Sequence, residues 1–165
     1  MPAEREPALV RRLAQTGGVV TSASTTAVTA PIDRHEITIR VRYAEVDAMG
    51  VLHHARYLVY FEMGRTELLR ANGLAYAEME RRGLYYVVAR LEVRYKAPAR
   101  YDDVLTLKTR TTRFTPVRVD HAYELERDGR LLAEASSTLA LVNAAGEVTP
   151  LPEQWRSLLM GSSEY

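Results

Sequence analysis

Cysteine is absent from the sequence. That excludes a disulfide framework, thiolate-bound zinc, iron–sulfur clusters and a cysteine nucleophile. Long apolar runs are absent too. None approaches the ~18–20 residues needed to cross a bilayer, so no membrane span is expected. Residues 1–14 carry arginines but no uninterrupted apolar core before a cleavage-like site, and do not read as a secretion signal. A soluble, cytoplasmic protein is the expectation. An excess of either charge is also lacking, since 22 basic and 21 acidic residues leave a net charge of +1. A general nucleic-acid binder shows a clear basic excess, so no nucleic-acid partner is expected, while a local basic patch remains allowed. Phenylalanine is scarce, at two residues against ten tyrosines, which suits half-buried aromatic positions on a sheet, groove or interface.

What is present fits one domain plus a tail. The chain has 165 residues, of which 47% are apolar, enough for a sizeable core. Residues 1–34 differ from the rest: a short amphipathic stretch is followed by TGGVVTSASTTAVTAP, small and polar and without period. They read as an N-terminal arm, flexible or ordered against a neighbouring subunit. The folded domain is expected over residues 35–160. His35–Tyr43 alternates with Ile37, Ile39, Val41 and Tyr43 on one face, the period of a half-buried strand. A helix is predicted over Arg56–Ala71, with Tyr57, Tyr60, Phe61, Gly64 and Leu68 sharing a face. Gly64 costs about 1 kcal/mol there and points to close approach of the helix to a sheet. A short helix is predicted over Tyr76–Arg82.

Four long strands follow, over Leu84–Lys96, Asp103–Phe114, Val117–Arg127 and Arg130–Asn143. In the first, Val87, Ala89, Leu91, Val93 and Tyr95 are expected on one face. Asp128-Gly129 fits a two-residue hairpin turn, and the last three strands are expected to be antiparallel neighbours. A short helix is expected near Pro152–Met160. One helix must cover the apolar face of the sheet. The fold class is therefore α+β, with a curved antiparallel five-stranded sheet wrapped around one long central helix.

The stretch VRYAEVDAMGVLHHARYLVY, residues 41–60, is where an acid, small residues, two histidines and a helix start converge. A helix N-terminus offers unpaired N–H groups and partial positive charge, suited to a developing oxyanion. Asp47 lies just upstream. A carboxylate is a poor base for water but a usable nucleophile, and both uses remain open. His54, seven residues on, is a candidate to hydrogen-bond a carbonyl, position water or protonate a leaving group. His53 is expected to face away from His54 or toward the groove. A metal site from Asp47, His53 and His54 is not expected, because adjacent histidines seldom project to one point.

These residues carry a resemblance. Tyr43, Asp47, Gly50, Val51, His54, Ala55 and Tyr57, followed by Phe61-Glu62 and Arg65, resemble the signature of the 4-hydroxybenzoyl-CoA thioesterase family, in its YbgC-like branch of acyl-CoA thioesterases. LEVRYKAPARYDD, with Tyr95, Pro98 and Asp103, resembles the second strand and loop of the same family. The resemblance covers roughly residues 36–143. It implies the hot-dog fold and hydrolysis of acyl-CoA thioesters to free acid and coenzyme A, with no cofactor. It puts the catalytic carboxylate on Asp47 and the oxyanion-binding N–H near His54, with Gly50 and Val51 shaping the turn. Tyr57, Tyr60 and Phe61 read mainly as core, and Tyr57 is also a candidate to line the acyl pocket. The resemblance also implies a homodimer or homotetramer, with sites at the dimer interface.

Plainer roles stand beside these. Asp47 is also a good cap residue. Glu62 and Arg65, one helical turn apart, read as a solvated pair, and His121 as a satisfied core or interface histidine. Arg110, Arg113 and Arg118 surround the Thr115-Pro116 turn. They are candidates to grip the phosphates of coenzyme A, or form a solvated strand end. The alternatives to acyl-CoA hydrolysis are an acyl-carrier-protein thioesterase and a non-catalytic acyl-CoA or lipid-binding module. A hydratase fits less well, because its Asp and His stand five apart.

Overall fold

A computed structural model describes residues 31–160. The expectation for residues 1–34 as an arm falls mostly outside that range. Five strands form one antiparallel sheet: β1 (Arg34–Arg40), β2 (Leu84–Tyr95), β3 (Val104–Thr115), β4 (Arg118–Arg127) and β5 (Arg130–Asn143), in the order β1-β3-β4-β5-β2. The helices are α1 (His54–Ala71), α2 (Tyr76–Arg81) and α3 (Glu153–Met160). This is the expected α+β architecture, a curved sheet around a central helix.

The period-of-two pattern in β3, β4 and β5 is what seats α1. Leu105, Leu107 and Thr109 on β3, Val119, His121, Tyr123 and Leu125 on β4, and Ala133, Ala135, Ser137, Leu139 and Leu141 on β5 are all buried. Leu105, Leu107, Tyr123, Leu125, Ala133 and Ala135 meet the helix face made by Tyr57, Tyr60 and Phe61, which continues through Gly64, Arg65 and Leu68, whereas Leu141 packs with Leu74, Met79, Leu151 and Trp155 in a second cluster. The Phe61 and Tyr123 rings lie 4.9 Å apart at the centre of the helix contact. A Cβ on Gly64 would stand 2.7 Å from Leu107 Cδ2 and closer still to Thr109 Oγ1. The bare glycine is therefore what lets the helix lie down on β3. Asp128 (φ 52°) and Gly129 (φ 76°) make the expected hairpin turn.

Several boundaries differ from the sequence expectation. The first strand stops at Arg40, and Tyr43–Glu45 forms a 3-10 turn, so Tyr43 is 77% exposed instead of lying inward. It packs edge-on against Tyr101 at 5.6 Å. The cause is Glu45, whose carboxylate draws the chain round by accepting from the Arg42 backbone N–H (2.8 Å). The central helix starts two residues before Arg56, because His53 caps it. The expected single face of β2 is broken: the register slips between Val88 and Arg90, so Ala89 bulges out and Val87 and Val88 are both exposed. Arg65 is not a solvated partner of Glu62. The pair stands at 3.3 Å, but the Arg65 side chain is buried while that of Glu62 is exposed.

The chain enters the described region at the C-terminal end of α1. Asn72 clasps it there: its Oδ1 accepts from the Ile32 N–H (2.9 Å) and its Nδ2 donates to the Ile32 carbonyl (3.0 Å).

Candidate active site

The Asp47 turn is a loop folded back on itself against the start of α1. Val46 bridges Leu52, and the Asp47 N–H donates to the Val51 carbonyl at 2.9 Å. The Gly50 N–H returns to the Asp47 carbonyl at 2.9 Å, with Gly50 at φ 72°, a conformation that favours glycine. Asp47 Oδ1 accepts from the Met49 N–H (2.8 Å) and, more weakly, from that of Val51 (3.5 Å). One carboxylate oxygen is thus fixed by the turn. Oδ2 takes no hydrogen bond among the described residues, and the half-buried side chain can present it to a ligand.

The loop is held from below by Glu45, which is 2% exposed. Its carboxylate accepts from the Arg42 guanidinium (2.7 Å), the Arg42 N–H and the buried Tyr60 hydroxyl (2.7 Å). Burial alone would push the Glu45 carboxyl up, but these hydrogen bonds overcome it and hold the group down at about 2. Tyr60 moves the other way: burial, and then the Glu45 carboxylate, raise its phenol well above the usual range. The Glu45 carbonyl also accepts from the His53 N–H at 2.9 Å, which sets the residue that caps the helix. Sequence reasoning missed this group. Its traces were the three-residue spacing of Arg42 and Glu45 and a tyrosine hydroxyl on the buried helix face.

At the helix start, His53 Nδ1 accepts from the Ala55 N–H (3.2 Å) and the His53 carbonyl from that of Arg56 (2.8 Å). The N–H of His54 has no partner among the described residues. The His53 and His54 rings lie 4.2 Å apart, so His53 stacks beside His54 and does not turn away from it. His54 is exposed, and its carbonyl accepts from the Tyr95 hydroxyl at 3.0 Å. Tyr57 is buried and meets the Tyr95 ring edge-on at 5.0 Å. Beside the turn lies an open pocket of about 420 Å³ lined by Glu45, Val46, His53, Ala55, Arg56 and Val59 among others.

The structure therefore brings Asp47, Gly50, Val51, His54 and Tyr57 to one end of α1. It does not bring Arg110, Arg113 and Arg118 there within one chain. β1 and β3 meet the turn region through Val41 and Asp103. Arg113 is nine strand residues beyond Val104, roughly 30 Å along β3 at ~3.3 Å per residue. Arg118 is tied to Asp120 by two hydrogen bonds of 2.8 and 2.9 Å, and Arg110 is exposed on β3. Among the described residues no group of three or more His, Asp and Glu side chains could hold a metal ion, and no helix is long and apolar enough to cross a membrane.

Residues 41–159 match a family described as the thioesterase-like superfamily. A Haemophilus influenzae protein named acyl-CoA thioesterase YbgC is 34% identical over 114 residues, 68% of this chain and 83% of that one. The crystal structure of the hypothetical protein TT1821 from Thermus thermophilus superposes with a TM-score of 0.73 at 35% identity, covering 76% of this chain and 96% of that one. A DHNA-CoA thioesterase from Staphylococcus aureus gives a TM-score of 0.75 at 28% identity, covering 77% and 89%.

Proposed function

The chain belongs to the thioesterase-like superfamily, and on that premise we propose that it hydrolyses acyl-CoA thioesters to a free acid and coenzyme A. The observation that carries this reading is the Asp47 turn. One carboxylate oxygen is fixed by backbone N–H groups, the other is unengaged, and the uncapped N–H of His54 opens a helix alongside.

With the thioester carbonyl oxygen at that N–H, negative charge developing on it is met by the hydrogen bond and by the positive end of α1. Asp47 Oδ2 then acts in one of two ways. It attacks the carbonyl carbon, expelling the thiolate and leaving a mixed anhydride that water opens. Or it takes a proton from water as the hydroxide adds, and the thiolate leaves carrying a proton. Single-turnover hydrolysis in ¹⁸O-water separates these: label retained in the Asp47 carboxylate marks the anhydride route. The exposed His54 imidazole is the group we assign to protonate the thiolate.

We infer a homodimer seated on β2, one of the two edge strands of the sheet. Its outer edge carries no strand among the described residues, and Val87, Val88 and Tyr95 are exposed along it. Tyr95 also bonds the His54 carbonyl, so a second copy seated on this edge would stand beside the helix start and complete the site. The phosphate role of Arg110, Arg113 and Arg118 belongs to such an assembly, with arginines reaching a nucleotide bound at the other copy's turn.

The test is thiol release from a panel of acyl-CoAs and from the same acyl groups on acyl-carrier protein, with wild type and Asp47→Asn. The expected loss in kcat is about 10²–10⁴-fold with an unchanged unfolding curve. Near-full activity in a folded Asp47→Asn protein would overturn the reading. Turnover of the carrier-protein substrates alone would move it to that carrier.

A further inference from the structure

The hairpin that carries Asp47 joins a rigid helix through a single residue. Its stem is held by the His53 N–H to the Glu45 carbonyl (2.9 Å), the Val46–Leu52 bridge and the Asp47 N–H to the Val51 carbonyl (2.9 Å). These contacts fix the hairpin internally. They leave its tilt against α1 to the backbone of His53, which is extended (φ −61°, ψ 133°) where the helix begins. A joint of one residue is soft, because φ and ψ are the free torsions of a chain. The far side of the hairpin rests on the loop after β2, through the Leu52 N–H to the Ala99 carbonyl (2.8 Å).

One side chain ties the hairpin to the helix itself. Tyr60 is packed in the main core on the buried face of α1, so its hydroxyl is a fixed point, and it donates to Glu45 Oε2 at 2.7 Å. A ring closes: from Glu45 through the Tyr60 side chain, back along α1 to His53, and across the His53 N–H to Glu45 again. His54 is a member of that ring, and Asp47 stands two residues outside it. Every polar group of Glu45 is engaged, since its N–H donates to the Arg42 carbonyl (3.0 Å) while its carbonyl and both carboxylate oxygens accept. The fold is less thorough elsewhere. His121 Nδ1, expected from the sequence to be satisfied, has no hydrogen-bond partner among the described residues, and neither has the Tyr86 hydroxyl.

We propose that Tyr60 is a positioning residue: through Glu45 it locks the Asp47 carboxylate at a fixed place relative to the His54 N–H. Its effect on rate rests on the thioesterase reading, and its effect on structure rests on the ring alone. A carbonyl held at that N–H must present its carbon to Asp47 or to a water beside it, and an error of about 1 Å in such a placement costs about 10²-fold in rate.

The experiment compares Tyr60→Phe with Glu45→Gln in steady-state hydrolysis of the acyl-CoA that wild type turns over fastest. Tyr60→Phe keeps the aromatic ring in the core and leaves Arg42 to hold Glu45, so the protein should fold. Its kcat is expected to fall about 10- to 100-fold, with KM changed less than about threefold. Glu45→Gln keeps an amide oxygen for the Tyr60 hydroxyl and the Arg42 N–H, and the Arg42 guanidinium, on an exposed side chain, can swing away from the new amide nitrogen. It should lose stability toward urea yet hold kcat within about threefold of wild type. A merely structural role would make kcat follow stability in both variants. Without substrate, the Met49 and Val51 amides, which hold Asp47 Oδ1, should shift in NMR spectra of Tyr60→Phe. Wild-type kcat in Tyr60→Phe would overturn the proposal, as would unmoved Met49 and Val51 amides or a kcat loss that follows stability in both variants. A wild type that hydrolyses no thioester, with those amides still moving, would overturn the thioesterase reading and leave the tie standing.

Discussion

Replacing Gly64 by alanine tests how closely the central helix lies on the sheet. On helix propensity alone the change stabilises, by about 1 kcal/mol. The structure argues that packing wins. The new methyl would sit 2.7 Å from Leu107 Cδ2 and closer to Thr109 Oγ1, where carbon contacts favour about 3.5–4.0 Å. Both neighbours are inward residues of β3, 0% and 1% exposed, with nowhere to retreat. Overpacking of this kind costs about 1–3 kcal/mol. The net expectation is a loss of up to about 2 kcal/mol, read in urea as a midpoint lower by up to roughly 1 M at unchanged slope. Thr109→Ala removes the nearest obstructing atom, an Oγ1 that has no hydrogen-bond partner among the described residues. Combined with Gly64→Ala it should recover about 1 kcal/mol relative to the sum of the single changes. A Gly64→Ala protein as stable as wild type, with strictly additive effects, would refute the reasoning.

Two further outcomes follow from other parts of the molecule. The Glu45 carboxyl is held at about 2 against an ordinary value of 4.5, so its contribution is complete above about pH 4.5 and fades as pH falls toward 2. Glu45→Gln should therefore cost about 1–3 kcal/mol at pH 7, discounted because the Arg42 partner is largely exposed. Urea titrations at pH 7, 4 and 2.5 should show that difference shrinking with acid, and a pH-independent gap would contradict the assignment. At the sheet edge, Val87→Lys with Val88→Lys should lower the mass seen by light scattering, and an unchanged mass would place the contact between copies elsewhere.

Repeating patterns were readable in the sequence because many residues report the same fact. Five buried positions of α1 at helical spacing, and the alternation in β3, β4 and β5, fixed the architecture together. The Asp47 turn was also legible, through Gly50 and the residues around it. Features set by one residue meeting a distant one were not. Tyr60 reaches Glu45 across 15 residues and so helps hold the carboxylate whose bond to the Arg42 N–H turns the chain and carries Tyr43 out of the first strand. The bulge at Ala89 breaks a face that reads as continuous in sequence, and nothing local marks it. His53 looked like the lesser of two histidines, yet its imidazole caps the helix, a role normally given to Ser, Thr, Asp or Asn. Arg65 and His121 follow the apolar period of their elements, which places them inward but leaves their partners unstated.

The strand order β1-β3-β4-β5-β2 has a consequence for how the protein is made. β2 ends at Tyr95, yet its one sheet neighbour, β5, starts at Arg130 and pairs Leu84 with Asn143. On a ribosome adding about 5–20 residues per second, β2 waits several seconds with neither edge paired. It is then an apolar strand, with Tyr85, Val87 and Val88 available to any other nascent strand. The hairpins from β3 to β5 form locally and early, whereas closing the sheet is a long-range and late event. Expression yield should thus depend more on chaperone supply and on charge introduced into β2 than on the stability of the finished fold.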